Sequence, residues 1–508
     1  MSTPPADAFD LPETTIADVR TAIADGRVTA EALLDRYLAR IDAYDDDLNA
    51  ILTLNDGARE RARDLDARYA EEGFVGPLHG VPTLLKDNQD THDMPTTAGS
   101  VALADSVPPR DAFVVERLRD AGAVVVGKAN LQELSFGVDT ISSLGGATRN
   151  AYDLNRRPSG SSGGTAAAVA ANLATVGTGS DTCSSVRSPP AFNNLVGLRP
   201  TRGLVSRTGI VPLSETQDTA GPVTRTVADA ARLLDAMAGY DPEDPVTATG
   251  ADAVPDDGYA SHLDPDGLDG ARIGVARQFL GLQGDSEDLP VDEADAAAVT
   301  AVVEEAIEEM EAAGATVLDP VDVVDVDLLG SARVLQYEFA RDFDRYLARL
   351  GDAAPHGSLA EVYETGTIAP SIESRFEGAG IFDVDADSLE GDAGYLRRLR
   401  RRDRLAETVL ARMVEDDLDA LLYPPSTVPP VEIPEHQPFS EMNCELSAHT
   451  GLPAVVLPAG FTDEGLPVGV ELLGRRFAEP RLLELGYGFE RSSGHRRPPE
   501  RFGELDDA

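Results

Sequence analysis

The chain has 508 residues, with 43 Lys plus Arg against 89 Asp plus Glu and a formal charge of −46. Such a surface repels a polyanion, which excludes a nucleic-acid binder that relies on its own basic footprint. No apolar run approaches the roughly 20 residues needed to cross a bilayer, and the opening Met1 to Thr15 has neither a basic start nor an apolar stretch, so the expectation is a soluble, cytoplasmic enzyme with no signal peptide or anchor.

Length alone allows about three domains, although large α/β enzymes exceed that prior. In chain order, Leu33, Leu34, Tyr37, Leu38 and Ile41 line one face of a helix that Thr29 can cap. Phe113 to Asp120 reads as a helix, and Ala123 to Val126 as a buried strand ending at Gly127 and Lys128. An acidic stretch from Pro245 to Gly270 reads as a surface connection. Beyond it, strand Ala271 to Val275, helix Glu293 to Ala313 and strand Ala315 to Leu318 form a βαβ-like unit. Helices are expected over Leu328 to Leu350 and Tyr395 to Glu415, and strands over Ala420 to Tyr423, Ala454 to Leu457 and Val468 to Leu472. This alternation predicts a sheet covered by helices.

Cys183 and Cys444 are the two cysteines, which permits one disulfide at most and excludes a Cys-based structural metal site. No two of the seven His are three or four residues apart, so the helical pair of a zinc hydrolase is missing, and neither a metal nor a cofactor is expected. The acids are spread over the helices rather than gathered in a tail, the pattern of salt-adapted proteins. Lys occurs only at 86 and 128, whereas 41 cations are Arg. A Lys retained against that bias can do what Arg cannot, namely lose a proton. A second bias lies between Arg149 and Arg225, where eight Arg face four acids inside a chain that is otherwise strongly anionic. Carboxylates accumulate where solvent is, so this stretch is expected to be interior or to wall a cleft.

Three segments carry candidate chemistry. In the first, Gly80 to Thr91, Lys86 follows an apolar run; desolvation there would lower its pKa and make it a base, whereas pairing with Asp87 or Asp90 would make it structural. The second, Arg157-Pro-Ser-Gly-Ser161-Ser162-Gly-Gly-Thr165, precedes an Ala-rich run and could present hydroxyls at a helix N-terminus. It fits neither phosphate-loop pattern, and a plain flexible loop is the alternative. The third, Gly179-Ser-Asp181-Thr182-Cys183-Ser184-Ser185-Val-Arg187, runs from a strand into a loop of small residues that can hold a nucleophile and an oxyanion hole together. One helix of about 12 residues, roughly 18 Å long, plus a returning strand would bring the second and third loops side by side.

Together Ser159-Gly-Ser-Ser-Gly-Gly-Thr, the Asp181 to Arg187 loop, Phe192-Asn-Asn-Leu-Val-Gly-Leu-Arg-Pro-Thr201 and Gln217-Asp-Thr-Ala-Gly-Pro222 resemble the amidase signature family. Gly80 to Ser100, Val125 to Leu131, Gly451 to Ala454 and Gly465 to Gly474 extend the likeness to nearly the whole chain, apart from an acidic insert between about 240 and 420. The resemblance implies an α/β fold with a large mixed sheet between helices: an N-terminal helical layer to about 75, a catalytic core over 76–240, the largely helical insert over 241–420, and C-terminal strands and a helix over 421–508.

It also implies a Ser-cisSer-Lys triad in which Ser185 is the nucleophile, Ser161 the bridging hydroxyl behind a cis peptide, and Lys86 the base. Backbone N–H groups of Thr182, Cys183, Ser184 and Ser185 would form the oxyanion hole. Where the family commonly has two Gly, this chain has Cys183 and Ser184, and a side chain there could narrow the acyl site. Cys183 is an alternative thiol nucleophile. The implied function is hydrolysis of a small-molecule carboxamide, by a monomer or homodimer. The alternatives are the amidase-like subunit of a tRNA-dependent amidotransferase, which needs partner subunits, and a catalytically silent ligand-binding relative. The insert and Phe439 to His449 are expected to shape the substrate pocket.

Overall fold

The computed structural model describes residues 9–284, 289–384 and 386–505, so the first eight residues of the opening segment lie outside the described residues. The strands are β1 (Ile51–Leu54), β2 (Pro82–Lys86), β3 (Val124–Ala129), β4 (Ile141–Ser142), β5 (Gly146–Ala147), β6 (Val176–Asp181), β7 (Val196–Arg199), β8 (Thr219–Thr224), β9 (Arg272–Val275), β10 (Thr316–Leu318), β11 (Ala420–Tyr423), β12 (Ala454–Phe461) and β13 (Pro467–Leu473). Eleven of them form one sheet in the order β1-β3-β2-β6-β8-β7-β12-β13-β11-β9-β10, while β4 and β5 make a separate hairpin. β3, β2 and β6 run parallel, as do β11, β9 and β10; the strands between these groups are antiparallel. The alternation predicted a sheet covered by helices, and the resemblance implied that it would be large and mixed, as it is.

Neighbouring side chains on one strand enter different cores. Leu84, Val124 and Val126 join the cluster around the helix Gly163–Ala170, whereas Leu85 and Val125 join the larger cluster under the helices Val227–Met237 and Glu479–Ser493. That is the period-2 alternation of a strand buried on both faces. Thr29 caps its helix by accepting from the Ala32 N–H, and the helix Phe113–Asp120 has the expected bounds.

The expected helix Leu328–Leu350 is instead two helices, Val326–Gly330 and Leu335–Leu350. Gly330 and Ser331 favour a stop there, Ala332 is fully buried, and Arg333 turns out to pair with Glu445. The strand read as Ala123 to Val126 runs on to Ala129, so Lys128 lies inside it. The stretch Pro245–Gly270 is only partly a surface connection, because Tyr259 and Leu268 are buried in the larger core. β9 and β10 lie within the segment read as an insert, yet they extend the same sheet.

Candidate active site

The Arg-biased segment is interior, as its shortage of carboxylates implied. Arg187, Arg199 and Arg225 are almost wholly buried. Arg187 and Arg199 enclose Asp181 at 3.1 and 2.6 Å, and Arg187 also reaches Glu471 at 2.7 Å. Burial alone would raise the Asp181 carboxyl, but the two guanidinium groups outweigh it and hold Asp181 below its usual range. A charged cluster this deep is viable only when each charge faces an opposite one. It fixes the end of β6, where the third candidate segment begins.

Lys86 ends β2 and is fully buried. Its Nζ donates to Ser161 Oγ at 2.7 Å and to Ser180 Oγ at 2.9 Å, with the Ser180 carbonyl at 3.3 Å. The structural alternative for Lys86 is not what the molecule adopts. Asp87 pairs with Lys128 at 3.3 Å, and Asp90 accepts from the Tyr346 hydroxyl at 2.7 Å. Desolvation dominates the Lys86 environment and lowers its pKa to about 7, against the opposing pull of Asp181 and Asp218. Lys128 donates to Asp87, Thr96 Oγ1 and the carbonyls of Gln89 and Pro95, a clamp on the segment after β2.

Ser161 lies in the loop before the helix Gly163–Ala170, and the Gly160–Ser161 peptide is cis. Gly160 is required by close approach, since a Cβ there would sit 2.8 Å from the Val138 carbonyl carbon. Thr140 Oγ1 braces the loop by donating to the Ser159 carbonyl at 2.7 Å and accepting from the Gly163 N–H at 3.1 Å.

The loop after β6 is held at both ends. Thr182 Oγ1 donates to Asp218 at 2.6 Å, and its carbonyl accepts from Gln217 Nε2 at 2.9 Å. The Arg187 and Ser188 N–H groups both donate to the Ser184 carbonyl at 2.8 Å. Between these anchors, the N–H groups of Thr182, Cys183, Ser184 and Ser185 donate to no acceptor among the described residues. Ser185 is 7% exposed. Its hydroxyl has no hydrogen-bond partner among the described residues, so Lys86 and Ser161 are joined directly whereas the link to Ser185 is not made.

A cavity of about 340 Å³ opens beside Cys183. Arg333, Leu335, Ala379, Phe439, Glu445 and His449 wall it, with Arg333 and Glu445 paired to each other. His449 is buried, and desolvation, reinforced by Arg402, holds it well below the usual imidazole range and therefore neutral.

Two features escaped sequence reasoning. Ser180, a second hydroxyl on Lys86, carried no signal beyond its place before Asp181. The other is a correction: Cys183 is no free thiol nucleophile, because it is disulfide-bonded to Cys444 across 261 positions. The parity of the two cysteines allowed this pairing, but nothing in their spacing demanded it. Among the described residues, His92, Asp93 and Asp111 form the one His/acid grouping close enough to hold a metal ion; it lies at the surface and Arg119 already pairs with both acids.

The family model for amidases matches residues 32–483. A probable amidase of Arabidopsis thaliana is 34% identical over 511 residues, covering 97% of this chain and 93% of that protein. A glutamyl-tRNA(Gln) amidotransferase subunit from Moorella thermoacetica is 38% identical over 490 residues, covering 93% of this chain and 95% of that protein. Among solved structures, the peptide amidase of Stenotrophomonas maltophilia superposes with a TM-score of 0.83 at 37% identity, covering 96% of this chain and 99% of that one. A family match over most of the chain, together with relatives of near-equal length, shows that this protein belongs to the amidase signature family.

Proposed function

We propose that the protein is an amidase that hydrolyses a carboxamide to a carboxylate plus ammonia or an amine through an acyl-enzyme on Ser185. The observation that carries this reading is the fully buried Lys86, hydrogen-bonded to Ser161 with its pKa lowered to about 7, beside a loop of unused backbone donors. Neutral Lys86 accepts the Ser161 proton while Ser161 accepts the proton of Ser185, and the Ser185 oxygen attacks the amide carbonyl. Catalytic hydrogen bonds are often unformed without substrate, so the open Ser161-to-Ser185 step is consistent with a relay completed on binding. The N–H groups of Thr182 to Ser185 take the developing oxyanion. The proton returns through the same relay to the leaving nitrogen, the C–N bond breaks, and water then cleaves the ester.

The 340 Å³ cavity beside Cys183 has apolar walls in Leu335, Ala379 and Phe439 and a charged rim in Arg333 and Glu445. Lys86, Ser161 and Ser185 do not line it, but Cys183 lies two positions before Ser185, so it is the nearby space for a substrate, and likeness to a peptide amidase makes C-terminal peptide amides the first class to try. The dispersed acids support function in concentrated salt. Ammonia release from aliphatic, aromatic and peptide C-terminal amides by the isolated chain in molar KCl tests the proposal; no release from any of them counts against it.

A second reading is supported by likeness to the tRNA-dependent amidotransferase. There the same relay would free ammonia for a partner, and the isolated chain would be silent until partner subunits were added. Release by the chain alone decides for the first.

A further inference from the structure

The Cys183–Cys444 disulfide ties the loop before Ser185 to the segment that leads into the helix Glu445–Thr450. Cys183 is half-buried and lines the cavity, two positions before Ser185, and Cys444 is the N-cap of the short helix Glu445–Thr450, itself 1% exposed. We propose that this bridge is a positioning device for the reaction: it fixes the donors of the loop before Ser185, and opening it with a dithiol slows turnover without unfolding the chain. The inference rests on the amidase reading above.

Its basis is the distribution of restraints along the loop. Asp181 is gripped by Arg187 and Arg199, Thr182 by Asp218 and Gln217, and Ser184 by the N–H groups of residues 187 and 188. Among the described residues Cys183 makes no backbone hydrogen bond, so its covalent bond is the one directional tie at that position. Packing against the small apolar cluster that includes Val138, Phe192, Met442 and Val456 holds it in place without fixing the direction of its N–H. The far end of the bridge is firm. The Cys444 carbonyl accepts from Arg187 Nη2 at 3.1 Å, and the same Arg187 binds Asp181 and Glu471. The bridge therefore transmits the rigidity of that buried cluster to the middle of the donor loop. Glycine at 183 would offer no side chain to tie, so this loop is built on a different restraint.

A dithiol small enough to enter the cavity can reach the Cys183 sulfur. Its thiolate attacks, a mixed disulfide forms, and its second thiolate displaces it; two electrons and two protons pass to the protein, which gains two thiols while the reagent leaves as a cyclic disulfide. Deleting an oxyanion donor costs about 10² to 10³ in kcat. A donor that remains but is poorly aimed should cost less, about tenfold.

The test uses the full chain in molar KCl in three forms: bridged, dithiol-treated, and the double variant Cys183→Ala with Cys444→Ala, which needs no reagent. Thiol titration shows which treated molecules are open. The rate of Ser185 labelling by a small fluorophosphonate, mapped by mass spectrometry, is measured with kcat and KM for one amide and with melting temperature. Both opened forms should label about tenfold more slowly with a kcat about tenfold lower. KM should stay within about threefold, and the pH at which kcat/KM turns over should not move, because Lys86 is untouched. Rates within twofold of the bridged form, even with a lower melting temperature, make the bridge a simple staple and overturn the proposal. Absence of Ser185 labelling in the bridged protein overturns the amidase reading and this inference with it.

Discussion

Lys86 allows the sharpest quantitative prediction, because its function and its effect on stability have the same cause. Desolvation lowers its pKa from 10.5 to about 7. At pH 7 an ordinary Lys is neutral in roughly three molecules per ten thousand, whereas a group with a pKa of about 7 is neutral in about half, a gain on the order of 10³ in free base. We therefore expect kcat/KM to rise about tenfold per pH unit below pH 7 and to level above it. Lys86→Arg keeps a cation that cannot deprotonate, and should lose at least about 10³-fold. The same burial disfavours the folded state under acid. Between pH 7 and 10.5 the unfolded chain holds this proton and the folded chain does not, so stability rises with pH across that window by about 1.4 kcal/mol per unit. Below pH 7 both states hold the proton and the full penalty, roughly 5 kcal/mol, applies. Lys86→Met removes it but forfeits the bonds to Ser161 and Ser180, at about 1 kcal/mol each. The variant should be about 3 kcal/mol more stable than wild type at pH 6, and should lose that advantage as pH approaches 10.5. Denaturant melts at three pH values, run beside the kinetic profiles, measure both. A flat kcat/KM between pH 6 and 8.5, or Lys86→Arg retaining more than a tenth of wild-type kcat/KM, would refute the general-base argument.

Other outcomes follow from the same structure. Asp181→Asn leaves Arg187 and Arg199 short of their shared carboxylate and should destabilise the fold by about 3 to 5 kcal/mol, read from denaturant midpoints; a loss under about 1 kcal/mol would show that the pairing is slack. Gly160→Ala forces a Cβ against the Val138 backbone, so activity should fall sharply while circular dichroism in the folded fraction stays native; unchanged activity would mean that the loop can move aside. Melting temperature and activity should climb together from low to molar KCl, because the Debye length falls from about 8 Å at 0.15 M to about 3 Å at 1 M and damps self-repulsion among the −46 charges. Full activity in salt-free buffer would end the salt-adaptation proposal and leave the catalytic one intact.

What was legible in the sequence was what leaves a local trace. Periodic apolar faces located the helix Phe113–Asp120 and the strands β9 and β11 to within a residue. The scarcity of Lys pointed to positions 86 and 128 without separating them, and the shortage of carboxylates between residues 149 and 225 pointed to the interior. Pairings across the fold left no such trace. Lys86 has Asp87 beside it in sequence, yet the strand alternation turns Asp87 toward Lys128 and leaves Lys86 to two hydroxyls from other elements. The break at residues 331–334 has a local cause in Gly330 and Ser331, but the pairing of Arg333 with Glu445 across the fold could not be read from either segment. Burial of Tyr259 inside an acidic, Pro-containing stretch shows the same limit: composition reported the solvent-facing residues and concealed the anchor.

Capture of the covalent intermediate shows whether Ser185 carries the acyl group. The chain is mixed with excess of an acyl p-nitroanilide, quenched in acid during turnover and mapped by peptide mass spectrometry. One acyl group per chain is expected on the peptide containing Ser185, and none in Ser185→Ala, whose kcat should be lower by about 10³-fold or more. An acyl group found on another residue, or Ser185→Ala turning over at more than about a hundredth of the wild-type rate, would contradict the assignment of Ser185 as nucleophile.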